Sequence, residues 1–282
     1  MWPKIVVPAL LLVSALPATG SDPQILRIGI LASMAEDKPP RYREIGPPEL
    51  NKLVKEFTGL RSVTFQGLDA FSAAKQLDAK KWDLGVFTGI EFAWVQKQYP
   101  HLKPLMVAIT QENALQAALV VRKGSASKGF GDLKGKDIAI LETRLACRLF
   151  ADKNCNPPRN TFAKFFQAPN GQDALADVLR GKVKAAIVDT PTLKHFQDLY
   201  PGRFKNLTIL KRSPAFPPPV IVGREGLPTE LLQQFRNGML KVSRTEKGRM
   251  ALMDFGILRF QEVPKDFQET LTDFATRFPP PQ

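Results

Sequence analysis

Short apolar runs alternate with helical stretches along almost the whole chain, and they do so in two batches. In the first batch, Leu26–Leu31 (LRIGIL) reads as a buried strand, and Ala32–Gly46 is a polar loop. Pro47–Thr58 sets Leu50, Leu53, Val54 and Phe57 at helical spacing, with Pro at its start and Gly59 just past its end. Ser62–Phe65 is a short strand, and Asp69 caps a helix running to Ala79. Asp83–Phe87 is a further strand, from which Thr88–Gly89 turns into a helix at Ile90–Gln98. Lys103–Thr110 and Gln116–Arg122 are extended.

A similar cycle then begins again. Asp137–Leu141 is a strand, Thr143–Asp152 a helix, Thr161–Gln167 extended, and Asn170–Arg180 a helix ended by Gly181. Ala185–Val188 is a buried strand, followed by a helix at Pro191–Tyr200 and a strand at Leu207–Lys211. Prolines 214 and 217–219 stop regular structure before Val220–Gly223, and the tail is helical. The alternation predicts an α/β protein with mostly parallel sheets. An extended segment at each border implies that the chain crosses twice between two lobes, near 114–122 and 216–223. The expected division is 21–115 plus 224–282 for lobe 1, and 116–223, crossover segments included, for lobe 2. Two such lobes around a central ligand cleft make a clamp that closes by hinging.

Residues 1–20 read as an address. Lys4 precedes the apolar run Ile5–Leu16, and Ala15, Ala18, Thr19, Gly20 and Ser21 follow, the order of a secretory signal peptide. Twelve helical residues span about 18 Å, short of the roughly 30 Å hydrocarbon core, so cleavage is favoured over an anchor. The mature protein is then expected to be periplasmic or secreted. Its formal charge would fall from +13 to +12. Cys147 and Cys155 are the only cysteines. In an oxidising compartment this close pair points to one disulfide, with two unpaired thiols as the alternative.

Most catalytic chemistry finds no support. Two His and two Cys are too few for a zinc or iron–sulfur cluster. His101 and His195 have no Ser or Cys in a nucleophile context, and no phosphate-cradling glycine motif follows a strand. No catalytic residue, metal site or cofactor is expected, and the chain reads as a binding protein rather than an enzyme. Lys211–Met250 carries a net +5, but its charges follow a helix without interleaved aromatics, so it reads as a solvated face and not a nucleic-acid site.

The informative positions are loops at the carboxyl ends of strands, where α/β proteins hold ligands. They supply Ser33 after the first strand and Thr88, Gly89, Ile90 and Glu91 after the third. In the second half they supply Glu142, Thr143 and Arg144, then Asp189 and Thr190. Thr88, Gly89, Thr143 and Thr190 are expected to donate hydrogen bonds, Arg144 to pair a ligand acid, and Glu91 or Asp189 to take a ligand amine. Ordinary helix capping is the competing role for Thr88, Thr143 and Asp189.

The ordered segments DLKGKDIAIL (Asp132–Leu141), GQDALADVLRGKVKAAIVDTPTL (Gly171–Leu193) and RSPAFPPPVIVGREGLPTELLQQFRNGML (Arg212–Leu240) resemble the phosphate/phosphonate-type periplasmic substrate-binding proteins of ABC transporters. DLGVFTGIEFAW (Asp83–Trp94) is similar to that family's strand and ligand loop, and GRMALMDFGILRF (Gly248–Phe260) to its C-terminal helix and Gly-Ile turn. The resemblance implies a two-lobed type II periplasmic-binding fold and a monomer that closes on a small polar or oxyanion-type ligand. It implies an ABC transporter permease in the inner membrane as partner, with a sensor kinase or other membrane receptor as the alternative. Phosphonate binders of the family carry a Ser/Thr/Gly-rich turn at the second-lobe helix start, where this chain has Glu142-Thr143-Arg144-Leu145-Ala146-Cys147. A carboxylate about 4 Å from an anion costs about 1 kcal/mol in water and about 4 at an effective dielectric of 20. A helix N-terminus returns about 0.3–2 kcal/mol. With Glu142 and Glu91 facing the cleft, the expected ligand is not a simple phosphonate but a cationic, zwitterionic or polar organic molecule.

Overall fold

The structure is a computed structural model that describes residues 25–36, 47–110, 114–141, 144–155, 164–168 and 170–280. The signal peptide expected at 1–20, and Glu142 and Thr143 of the candidate set, lie outside the described residues. The elements in chain order are β1 (Leu26–Leu31), α1 (Ser33–Glu36), α2 (Pro47–Thr58), β2 (Ser62–Leu68), α3 (Ala70–Asp78), β3 (Leu84–Phe87), α4 (Gly89–Gln96) and β4 (Lys103–Ile109). Next come β5 (Ala117–Arg122), β6 (Asp137–Ile140), α5 (Leu145–Asn154), β7 (Lys164–Gln167), α6 (Gly171–Arg180), β8 (Ala185–Asp189), α7 (Thr190–Leu199), α8 (Pro201–Phe204) and β9 (Leu207–Arg212). The chain ends with β10 (Val220–Gly223), α9 (Thr229–Lys241), α10 (Glu246–Asp254), β11 (Arg259–Gln261) and α11 (Phe267–Arg277).

The strands form two sheets. The first runs β11-β4-β10-β3-β1-β2 and the second β7-β6-β8-β5-β9. The chain passes from the first sheet to the second between β4 and β5 and returns between β9 and β10. The passing segments touch: Leu115 and Phe216 form an antiparallel bridge, and the Phe216 N–H donates to the Leu115 carbonyl at 2.8 Å.

Two expectations need correction. The sheets are mixed: β1 pairs parallel with β2 and β3, and β6 with β7 and β8, whereas β10 and β5 pair antiparallel with both their neighbours. Each of these reversed strands is the one that arrives from the other sheet. It enters from the opposite end, so it cannot run with the βαβ strands. Second, Val220–Gly223, expected in the second lobe, hydrogen-bonds between β3 and β4 and so belongs to the first sheet.

Apolar faces set the layers. On one side of the first sheet, Leu53, Val54, Leu231, Phe235, Met239 and Leu252 bring α2, α9 and α10 onto Leu26, Ile28, Met106 and Ile221. The core on the other side continues through the crossing region into the second sheet. There the C-terminal helix α11 stacks Phe274 and Phe278 against Phe216, with ring centroids 5.4 and 5.6 Å away. The Trp94 indole N–H donates to the Phe278 carbonyl, fastening α4 to the end of α11. Lys153, on α5, donates to the Arg277 carbonyl and lies over the Phe278 ring. The terminal helix therefore touches elements of both sheets.

The expected disulfide is absent: Cys147 and Cys155 are separate buried thiols. The helix expected to stop at Asp152 continues to Asn154. Eight residues of helical rise separate the two cysteines by about 12 Å, well beyond the roughly 4.4–6.8 Å between Cα atoms that a disulfide spans. Burial pushes the Cys155 thiol up to about 11, with Asp152 adding to the effect.

One buried ion cluster locks the first sheet. The Asp83 carboxylate accepts from the Arg27 backbone N–H at 2.9 Å, from the Arg27 guanidinium at 2.9 and 3.0 Å, and from the Arg224 guanidinium at 3.0 Å. Burial alone would raise its pKa, but the Arg27 and Arg224 hydrogen bonds outweigh that and hold the carboxyl below its usual range. A carboxyl lowered on folding stabilises fully above its unfolded pKa, about 3.9, and loses that contribution as pH falls through the folded value. Asp83→Asn is expected to cost about 1–3 kcal/mol at pH 7, because it removes the buried acceptor of Arg224 and of the half-exposed Arg27. Urea unfolding should show the gap between variant and wild type narrowing below about pH 4.

Candidate functional site

A continuous cavity of about 930 Å³ opens between the two sheets. It is lined by Ser33, Thr88, Gly89 and Ile90 on one side and by Arg144, Asp189, Thr190, Lys194 and His195 on the other. The crossing segments close its back through Leu115 and Phe216–Pro219. Loops far apart in sequence, selected for lying after strands, thus meet around one space. Lys194 and His195 are additions: they sit one turn into α7, where nothing but the helix direction could have pointed to them.

The candidate hydroxyls among the described residues, Ser33, Thr88 and Thr190, are engaged within the protein. Thr88 caps α4: its Oγ1 accepts from the Glu91 N–H at 3.1 Å and donates to the Glu91 carboxylate at 2.6 Å. Ser33 donates to the same carboxylate oxygen at 2.7 Å. Glu91 is 9% exposed and does not line the cavity. Its expected role as acceptor of a ligand amine is therefore corrected. Its charge lies behind the wall, where two hydroxyls and the positive end of α4 satisfy it.

Thr190 is spent in the same way. Its Oγ1 accepts from the Gln116 N–H at 3.0 Å and donates to the Gln116 carbonyl at 3.1 Å. The start of α7 is thereby pinned to the chain just where it enters β5. Asp189 is 2% exposed; it caps α7 by accepting from the Thr192 N–H at 2.9 Å and faces the Arg144 guanidinium at 3.6 Å. Lys194 pairs with Asp198.

Gly89 is fixed by crowding. A Cβ built there would come within 2.3 Å of the Pro217 carbonyl oxygen and 2.5 Å of that of Pro218. The first turn of α4 thus lies directly against the returning crossover.

Among the described residues, the short α1 and three longer helices, α4, α5 and α7, begin on this cavity. Thr88 caps α4 and Asp189 caps α7, whereas Arg144, the N-cap residue of α5, makes no side-chain capping bond. The opening N–H groups of a helix carry a partial positive charge that favours an anion. The α5 start, with a guanidinium beside it, is accordingly the part of the wall best suited to an oxyanion.

A family model, described as the periplasmic substrate-binding protein of phosphonate ABC transporters, matches residues 48–267 of the chain. No curated protein matches the sequence. Among solved structures, XAC2383 from Xanthomonas citri, bound to ATP, is 17% identical, with 90% of this chain and 96% of that one covered at a TM-score of 0.63. PhnD1 from Prochlorococcus marinus, in complex with methylphosphonate, is 16% identical, with 91% and 98% covered and a TM-score of 0.63. A binding protein component of an ABC phosphonate transporter from Pseudomonas aeruginosa is 16% identical, with 90% and 86% covered and a TM-score of 0.60. At these identities the likeness shows the fold, which is the two-lobed type II periplasmic-binding fold.

The Gly89 contact is testable by thermal unfolding. Gly89→Ala should lower stability by about 1–3 kcal/mol, because backbone carbonyls cannot give way to the added methyl. Gly202→Ala, where a Cβ meets nothing within 4 Å, should be neutral or gain up to about 1 kcal/mol.

Proposed function

This chain belongs to the phosphonate-type periplasmic substrate-binding family of ABC transporters, and from that premise we propose that its lobes close on an organic oxyanion and deliver it to a permease in the inner membrane. In this reading lobe 1 is 21–115 with 220–282, and lobe 2 is the chain between them. The leader at 1–20 directs the protein to the periplasm, where it acts as a monomer without a cofactor and without catalysis.

The observation that carries the reading is the α5 start. It faces the cavity with Arg144 at its N-cap, and the Arg144 side chain makes no capping hydrogen bond to its opening N–H groups. The anion would complete that helix end. The expectation of a cationic ligand rested on Glu91 and Glu142. Glu91 is buried and engaged by Ser33 and Thr88, and Glu142 lies outside the described residues. The remaining acids on the described wall, Asp189 and Asp198, each face a cation.

Closure supplies affinity in this account. A ligand held by α5 and α7 gains contacts to α4 only when the lobes approach, so it binds the closed form better and shifts the population toward it. The permease would then recognise the closed shape.

Calorimetric titration of the protein with butylphosphonate and with butylamine tests the charge preference. Butylphosphonate should bind and should reduce the radius of gyration measured by small-angle X-ray scattering. Arg144→Ala should weaken binding by about 10- to 100-fold, the worth of hydrogen bonds to a charged group. Binding of butylamine, with none of butylphosphonate, would sink the reading.

A further inference from the structure

The cavity is larger and more lopsided than a small oxyanion requires. Water occupies about 30 Å³ per molecule in the liquid, so about 930 Å³ corresponds to about thirty waters. That volume lies near the upper end of the range for drug-sized ligands. A one-carbon phosphonate has five heavy atoms and would leave most of it unfilled.

The charged part of the lining lies mostly on one side. Among the described residues, the charged groups Arg144, Asp189, Lys194 and Asp198 come from the half that holds the second sheet, and Arg259 is the exception on the first. The first sheet instead offers a row of apolar side chains across four adjacent strands: Ile30, Val86, Ile221 and Met106. Three interstrand spacings make that row about 14 Å wide. Leu50 of α2, Phe235 of α9 and Leu252 of α10 face it from the helical layer, and Ile257 follows in the turn after α10.

Several of these groups are incompletely packed. Ile30, Val86, Leu50 and Ile257 are half-buried, although they lie between a sheet and its covering helices, whereas Ile221, Met106, Phe235 and Leu252 are buried and close the inner end of the row. Apolar surface left open in such a layer forgoes dispersion and hydrophobic stabilisation that a suitable guest would restore. On the first wall the Ser33 and Thr88 hydroxyls are committed to Glu91, and Gln66 and Thr110 are further polar side chains of its lining.

We infer that the ligand is an amphiphile: a single-chain organic oxyanion whose head sits at the α5 start and whose aliphatic tail lies against Ile30, Val86, Leu50 and Ile257, the open part of the chamber. The head assignment rests on the proposed function; the tail assignment rests on the chamber. The first wall supplies contact area and the second supplies charge. Discrimination among oxyanions then comes from chain length, because the head site is common to all of them.

Calorimetric titration of the full chain with methyl-, butyl- and octylphosphonate tests the tail, and n-octanol supplies a tail without an anionic head. Affinity should rise with length, by up to about fourfold per buried methylene; a gain of about a hundredfold from methyl to octyl, about twofold for each of the seven added methylenes, is the expected minimum. Octanol should bind too and compete with octylphosphonate. Val86→Phe, which fills the chamber, and Ile257→Glu, which puts a charge in it from an exposed turn, should each reduce the octyl-to-methyl ratio by tenfold or more. Equal affinity across the series, or a length dependence that neither variant alters, would overturn the tail assignment while leaving the proposed function standing. Octanol binding without any phosphonate binding would overturn the head assignment and the proposed function while upholding the tail chamber. Failure of every probe would overturn both.

Discussion

The fold depends on two strands of backbone lying side by side where the chain passes between its halves. One bridge, from Phe216 to Leu115, joins them. Because the chain leaves and comes back at the same place, each half receives one incoming strand that runs against its parallel set, and in the first sheet the edge strand β11 runs that way too. Each incoming strand lies inside its sheet: β10 between β3 and β4, β5 between β8 and β9. The site inherits this arrangement. The start of α4 abuts Pro217 and Pro218, and the start of α7 is held by the Thr190 bonds to Gln116. Helix starts on opposite walls are thus each referenced to a passing segment, one to the outgoing and one to the returning.

Much of the architecture was legible in the residues because it is written locally. Asp69, Thr88 and Asp189 cap the helices their positions announce. The two passing segments fall where extended runs border the two batches of alternation. Strand direction was not legible, since period-2 patterning is the same read either way, and so the expectation of mostly parallel sheets missed the reversed β5 and β10. The disulfide expectation failed over two residues of helix: cysteines on one continuous helix cannot meet, whatever their sequence spacing.

The candidate site shows the same boundary between local and distant information. Spacing found loops that converge, because chain ends of neighbouring strands converge in any such sheet. It could not tell which hydroxyls would still be available. Ser33 and Glu91 are 58 residues apart, Thr190 and Gln116 74 apart, and those partnerships appear only after folding. The apolar chamber was invisible for a related reason. Its floor and its covering helices come from separate stretches, each of which reads by itself as ordinary core.

The aromatic stack of Phe216, Phe274 and Phe278 has a mechanical meaning for this molecule. Under the proposed closure it would serve as a fulcrum at the rear of the cavity, with the Trp94 and Lys153 bonds holding the last helix to a limb on either side. Rotation about such a point would turn a slight reorientation there into a longer sweep at the opposite rim. Distance from the stack therefore sets leverage: side chains near Phe216 feel torque with little travel, whereas those at the rim travel far under little torque.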